Sequence, residues 1–154
     1  MVNESALFFT CSLIEFIGRK QHLKRNDVVK ALGEKVLTHI YNYSDVLHCE
    51  PIAKVADDFI KKCNIAKGNF DNISKCKYLI PDYWDIGEVY SRIIIDTDEN
   101  QTIKTLFNVY SSPVSDWISN YNSDFYFQPR DYIKECYLAK TVLEYILTFF
   151  MIIK

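Results

Sequence analysis

Residues 5–20 read SALFFTCSLIEFIGRK and place more large apolar side chains in one helical length than any other internal segment. Glu15 is the only charged residue between Glu4 and Arg19. The resulting apolar arc is wide, which is typical of a helix buried on most of its circumference. We therefore expect shorter helices to pack around this one. At 3.6 residues per turn, its apolar side is formed by Leu7, Phe9, Cys11, Leu13, Ile14, Phe16, Ile17 and Gly18.

Length and composition favour a single helical domain. A chain of 154 residues is long enough to bury a core without help from a metal or a disulfide. Four glycines and four prolines are few for an all-β protein of this size, because such proteins use these residues in frequent turns. We predict an all-α fold, a compact bundle of about seven to eight mostly short helices. Residues 1–63 would form a helical first half, 64–83 a connecting loop, and 84–154 a second half.

Helical periodicity and turn residues place the other helices along the chain. Asn26 is expected to cap the second helix, and Gly33 to end it. Asp85 and Glu88 match a capping box, which would start the helix in the middle of the chain. The helices predicted after the first one cover 27–32, 34–43, 51–60, 85–95, 102–110, 113–121 and 129 to beyond 147.

The cysteines and the chain termini indicate a cytoplasmic protein. Five cysteines are an odd number, and the N-terminus has no basic segment leading into a signal peptide. The apolar run over 142–153 is too short to span a bilayer, so no membrane partner is expected. Neither CxxC nor HxxxH occurs, which argues against a zinc site. We expect no metal and no other cofactor.

A cysteine nucleophile is the most specific enzymatic alternative. A thiolate would need a neighbouring base and an oriented carboxylate. The chain lacks a nucleophile elbow, and its four isolated glycines form no phosphate-binding loop. We therefore expect a protein that is not an enzyme. The residues that this alternative would use are Cys11 or Cys49, with His39 or His48 and with Asp45 or Asp57.

The charge and the aromatic residues are unevenly divided between the two halves. Residues 1–77 have 12 Lys/Arg against 9 Asp/Glu, whereas residues 78–154 have 6 against 11. Of 23 aromatic residues, 16 lie in the second half. An acidic surface rich in tyrosine is typical of proteins that bind another macromolecule, although the same rings also suit a core. The predicted partner-binding residues are Trp84, Tyr90, Asp96, Asp98, Glu99, Trp117, Tyr121 and Tyr126.

A basic segment in the first half supports a second hypothesis. Cations near the end of the first helix also suit its dipole, and the third predicted helix has few polar side chains for a DNA groove. A nucleic-acid-binding regulator is thus the alternative to a protein-binding module. It would use Arg19, Lys20, Lys24, Arg25 and Lys30.

Residues 4–60 resemble a small bacterial family of unknown function that is encoded beside ADP-ribosyltransferase-like toxins. The similar features are CSLIEFIGRK, Val28-Val29, Ile40-Tyr41, Leu47-His48 and VADDFI over 55–60. Cys49 stands where that family has threonine, and more than half of this chain lies beyond the resemblance. The resemblance implies a cytoplasmic, non-catalytic protein, either an antitoxin or immunity protein that neutralises a toxin or a protein of a defence or mobile-element operon. A toxin or another basic protein is the expected partner.

Overall fold

The computed structural model describes residues 1–144, and within them all regular secondary structure is helical, without a strand. This confirms the prediction of an all-α bundle. A short 3-10 helix, Phe125–Phe127, precedes the last α-helix. The α-helices are α1 (Glu4–Gln21), α2 (Arg25–Asn42), α3 (Ser44–Leu47), α4 (Ile52–Lys62), α5 (Tyr83–Thr97), α6 (Thr102–Ser111), α7 (Val114–Ser119) and α8 (Arg130–Ala139).

Helix α1 is the central element of the bundle, as its apolar sequence predicts. It packs mainly against α5 and also against α2 and α4. The Asn3 side chain caps its start by accepting a hydrogen bond from the Ala6 amide at 3.1 Å. His22 ends it in the left-handed conformation, where its amide bonds the Gly18 carbonyl. The helix is therefore capped at both ends before any tertiary contact is counted.

The main packing contact brings α1 and α5 together almost backbone to backbone. A Cβ atom at Gly87 would lie 2.3 Å from Ser12 Oγ and 2.8 Å from Ser12 Cα. A side chain on α5 would push the two helices apart at this point. Gly87 thus sets the closest approach between the first and second halves of the chain, and residues of both halves share one hydrophobic core.

Three helix boundaries differ from the predicted ones. Lys24, not Asn26, precedes α2. Gly33, at φ 82° and ψ 164°, is not helical and divides α2 into two parts at a kink, which agrees with the predicted helix end at this residue. Helix α5 begins one turn earlier than predicted, because Asp82 is its N-cap and forms the capping box with Asp85 instead of Glu88. Helix α8 stops at Ala139, where Lys140 turns left-handed, so residues 140–143 are not helical. The predicted continuation beyond 147 lies outside the described residues.

The segment between α4 and α5, residues 63–82, contains no helix, as the loss of periodicity predicts. It is nevertheless anchored to the bundle along its length. Gly68 donates its amide to the Gln21 carbonyl at 2.8 Å, and Phe70 bonds the His22 carbonyl at 2.9 Å. Asp71 accepts from the amides of Ile73 and Ser74 and so closes a turn. This long connection is the part of the fold that builds the candidate site.

Candidate functional site

A buried group of charged side chains lies beneath this loop. Arg25 forms a two-pronged ion pair with Glu15, with both N–H···O distances at 2.9 Å. Arg19 adds a third bond at 2.9 Å, and the Tyr121 hydroxyl donates a fourth. The Glu15 and Arg25 side chains are 1% and 0% exposed. We call Glu15, Arg19, Arg25 and Tyr121 the charged cluster.

The cations keep Glu15 ionised despite its burial. Burial favours the neutral acid, but the charge and hydrogen bonds of Arg25, with the charge of Arg19, outweigh it and lower the pKa of Glu15 to about 2. Burial and the nearby Glu15 charge raise the pKa of Tyr121, so its hydroxyl stays protonated and donates. A carboxylate held by four donors in this way has no acceptor directed toward solvent. The charged cluster therefore has a structural role, which is to hold its segments of the chain together.

Gly18 makes room for the buried arginine. A Cβ atom at this position would lie 2.4 Å from Arg25 Cδ and 2.6 Å from Arg25 Nε. The Arg25 side chain therefore crosses α1 directly over the missing side chain and reaches Glu15 one turn away. The sequence places Gly18 on the apolar side of the first helix, and its structural role is to leave room for the Arg25 guanidinium.

The charged cluster also holds the loop that ends at α5. Arg19 Nη2 donates to the Pro81 carbonyl at 2.8 Å and to the Tyr121 hydroxyl at 3.1 Å. Asn72, which lies 3.5 Å from Arg25 Nη2, donates its amide to the Ser119 carbonyl at 2.9 Å. The backbone at Pro81 is consequently fixed from inside the protein.

The other side of the same loop is fixed by residues that follow α7. The Lys77 amide donates to Asn122 Oδ1 at 2.8 Å, and Asn122 Nδ2 donates back to the Lys75 carbonyl at 3.4 Å. The Cys76 thiol lies 3.7 Å from the Tyr121 carbonyl. Residues 78–80 are thus suspended between two anchored points, Lys77 and Pro81.

The suspended residues line one side of an open groove with a volume of about 720 Å³. Leu79 is 91% exposed, and Phe127, from the 3-10 helix on the opposite side, is 82% exposed. Nine large apolar or tyrosine side chains are exposed in the described part of the chain, and four of them meet here. Exposed apolar side chains clustered on a fixed backbone are typical of an interaction surface. We call this surface the apolar groove, and its apolar residues are Tyr78, Leu79, Ile80, Pro81, Val89, Tyr126 and Phe127.

The first two turns of α5 form an acidic wall along the apolar groove. Asp82, Asp85 and Glu88 line it, together with Arg92, which pairs with Glu88 at 2.5 Å. Asp82 and Asp85 are there because they cap the helix, where carboxylates also suit the positive end of the dipole. The groove therefore combines apolar side chains with a negatively charged edge.

The structure distributes the predicted partner-binding residues over several environments. Tyr90 is buried and stacks on Tyr110 at 4.0 Å between ring centroids, and Tyr121 is buried in the charged cluster. Both rings belong to the core, the alternative that the composition left open. Trp84 and Trp117 are half-buried, Trp84 against Phe8 and Trp117 against Phe125.

The predicted acidic residues are mostly engaged in local structure. Asp96 binds Arg130 through two bonds of 2.7 Å, and Asp98 accepts from the Gln101 amide at 2.9 Å just before α6. Glu99 is exposed. Of the eight predicted residues, Tyr126 is the one that lines the apolar groove.

The basic residues of the alternative hypothesis do not form one patch. Arg19 and Arg25 form ion pairs with Glu15, and Lys20 pairs with Asp57. Lys24 lies 4.0 Å from Asp116, at the edge of a polar cavity of about 260 Å³ in which these two charges offset each other. Lys30 is exposed on α2.

The two candidate nucleophiles, Cys11 and Cys49, lie in different environments, one buried and one exposed. Cys11 lies in the core, where burial raises the pKa of its thiol to about 12, so it carries no thiolate at neutral pH. Cys49 is exposed, and its thiol lies 3.4 Å from the Asp45 carbonyl. His39 packs against the Tyr43 ring at a tilted angle. Residues 1–144 contain no cluster of three or more His, Cys, Asp or Glu side chains suited to a metal ion.

Most groove residues were not among the predicted site residues, although the sequence contains a signal for them. YLIP over 78–81 is a run of large apolar residues inside a segment without helical periodicity, and FYF over 125–127 is another. Such side chains cannot share one buried helical face, so part of each run must point to solvent or to another loop. What the sequence did not show is that the two runs lie side by side.

Comparison with known proteins gives no indication of function, so the proposed function is argued from the geometry of the structure. Within residues 1–144, no helix is long and apolar enough to cross a membrane. The likeness of residues 4–60 to a toxin-associated family stays a prediction. The chain matches no protein-family model, and neither the curated proteins nor the solved structures gave a match.

Proposed function

We propose that this protein is a non-catalytic binding module that holds another protein in the apolar groove. The observation that carries the proposal is the suspended segment over 78–80, where large apolar side chains face solvent although both flanking residues are hydrogen-bonded to the bundle. Surface that is apolar and already ordered loses little conformational entropy when a partner covers it.

The wider setting of this proposal is an antitoxin, immunity or related defence protein that acts in the cytoplasm. All five cysteines are free thiols, which supports a reducing compartment. Neutralising a toxin needs only that the partner be covered, so a rigid surface suffices and no reacting group is required. The charged cluster contributes indirectly, because Arg19 fixes one end of the exposed segment.

Co-expression with the product of the neighbouring gene tests the proposal. Size-exclusion chromatography should give one joint peak, because a standard protein interface buries about 1,200–2,000 Å² and survives dilution on a column. The double variant Leu79→Asp/Phe127→Asp should separate the two proteins, since it places charges at the centre of the groove. Tyr43→Asp/Val46→Asp, a matched change of exposed residues near α3, should leave the joint peak intact.

Two results would count against the proposal. One is the absence of a joint peak with either flanking gene product. The other is a joint peak that survives Leu79→Asp/Phe127→Asp, because the partner would then bind elsewhere on the bundle.

A further inference from the structure

The charges around the apolar groove indicate which kind of segment it accepts. Three acidic side chains line its α5 wall, and the single cation on that wall, Arg92, is already paired with Glu88. An adjoining cavity of about 400 Å³ shares Tyr78, Tyr126 and Phe127 with the groove and adds Asp124. The lining of the two together has four acidic residues and one arginine.

This excess of negative charge is available to a partner. Asp82 and Asp85 use part of their hydrogen-bonding capacity as caps, but both side chains are exposed. Asp124 is exposed on the far side, beside the 3-10 helix. Negative charge therefore lies on two sides of the apolar centre.

The shape of the groove favours a polypeptide segment over a small molecule. Small-ligand sites enclose most of their ligand, whereas Leu79 and Phe127 project outward from the walls of an open surface. Side chains that project in this way insert between the apolar side chains of an amphipathic helix or extended segment. Charge complementarity at the edges then selects the sign of the flanking residues.

We infer that the occupant of the apolar groove is a short amphipathic segment of a partner protein, with apolar side chains flanked by lysine or arginine. This inference rests on the proposed function and names the chemistry of its partner. The apolar anchors would cover Leu79 and Phe127, and the flanking cations would face Asp82, Asp85 and Asp124.

Three labelled helical peptides of equal length test the inference in fluorescence anisotropy. The first combines leucine with lysine, the second leucine with glutamine, and the third leucine with glutamate. The lysine peptide should bind at least about tenfold more tightly than the glutamine peptide, and the glutamate peptide should not bind. Affinity for the lysine peptide should fall steeply with added salt.

Variants of the full chain locate the binding and separate its two components. Leu79→Ser/Phe127→Ser should weaken the lysine peptide at least about tenfold. Glu88→Gln/Asp124→Asn should weaken it about threefold or more and flatten its salt dependence. Tyr43→Ser/Val46→Ser and Asp45→Asn/Glu50→Gln, which change matched exposed residues elsewhere, should not alter it.

Several outcomes would overturn the inference. Equal binding of the lysine and glutamate peptides would show that charge does not select the occupant, and binding that survives Leu79→Ser/Phe127→Ser would be general attraction to an acidic protein. A dimer in sedimentation that Leu79→Ser dissolves would make a second copy the occupant. A lower unfolding temperature of Leu79→Ser would mean that this chain itself covers the groove.

A negative result in the peptide experiment can be distinguished from a negative result in the co-expression experiment. If a natural partner joins the protein in a Leu79-dependent peak and the lysine peptide does not bind, the basic character of the segment is wrong and the proposed function stands. If no joint peak forms with a neighbouring product while the lysine peptide binds in the groove, the chemistry of the groove stands and the toxin setting does not.

Discussion

The charged cluster and the apolar groove are opposites: the cluster buries charged side chains, and the groove exposes apolar ones. The cluster puts a carboxylate and a guanidinium in the interior, with each hydrogen-bonded at about 2.9 Å. The groove puts leucine and phenylalanine in solvent. Buried charge that is fully paired serves the fold, whereas exposed apolar surface on a fixed backbone remains available to a partner. An unusual residue environment therefore indicates binding only where its interactions are incomplete.

The two regions are nevertheless joined by one side chain. Arg19 bonds Glu15 at 2.9 Å on its inner side and the Pro81 carbonyl at 2.8 Å on its outer side. The interior therefore determines where the exposed segment begins. Variants of the cluster should change stability first, and variants of the groove should change binding alone.

Arg25→Met should have the largest effect, because it leaves Glu15 charged and buried without its main partner. We expect a loss of about 3–5 kcal/mol in the free energy of unfolding, measured with urea. The double variant Glu15→Leu/Arg25→Met should be less destabilised than Arg25→Met alone, since no unpaired buried carboxylate remains. A double variant as unstable as the single one would mean that the cluster matters through its shape and not its charge.

Acid should produce the next largest effect. Glu15 has a folded pKa of about 2 and an ordinary value near 4.5, so its contribution is complete above about pH 4.5 and is lost as the pH falls toward 2. The loss should be about 3 kcal/mol, measured from urea midpoints across that range. Glu15→Gln should be less stable at neutral pH and lose less on acidification. Its remaining acid sensitivity would include Asp71, whose pKa is also about 2 because it accepts hydrogen bonds from Ser74.

Gly18→Ala should displace Arg25 from its path across α1. We expect a loss of about 1–3 kcal/mol, as is usual when a well-packed interior receives an extra carbon. Alanine has the better helix propensity by up to about 1 kcal/mol, so any net loss reports the clash. Stability equal to the wild type in thermal unfolding would show that the guanidinium has a second route to Glu15.

Arg19→Met tests the link between the two regions. It removes the donor to Pro81 but leaves the Arg25–Glu15 pair, so the unfolding free energy should fall by only about 1–2 kcal/mol. Binding of the lysine–leucine peptide should weaken although no groove side chain has changed. Undiminished affinity would show that the exposed segment holds its position without the cluster.

Leu79→Ser should have the smallest effect on the fold and a clear effect on binding. An exposed position away from packing contacts changes the unfolding free energy by about 0.5 kcal/mol or less. The same variant should reduce complex formation in the co-expression experiment. Unchanged complex formation would exclude Leu79 as an anchor.

The fold was predictable where a local sequence pattern determines the secondary structure of its own segment. The apolar arc over 5–20 identified α1, and the loss of periodicity identified the loop over 63–82. Helix starts were less certain because several side chains can serve as a cap. Asp82 and Asp85 are both followed by an acidic residue three positions later, and the structure uses the earlier pair.

The candidate site depends on contacts that no local pattern encodes. Tyr121 looks like a surface anchor by composition, but its hydroxyl reaches Glu15, a residue 106 positions away. Arg25 looks like part of a basic patch, and Gly18 is what allows it to turn inward. Charge and aromatic content showed that the second half is acidic and rich in aromatic residues, while the position of the exposed apolar surface required the tertiary structure.

The distance along the chain between Glu15 and Tyr121 has a consequence for synthesis. Ribosomes add about 5–20 residues per second, so α1 leaves the ribosome roughly 5–20 seconds before the residue that completes its hydrogen bonds. The side of α1 that packs against α5 remains uncovered for most of this interval, although Arg19 and Arg25 follow Glu15 closely enough to pair with its carboxylate early. The newborn polypeptide should therefore be a chaperone client until its second half emerges.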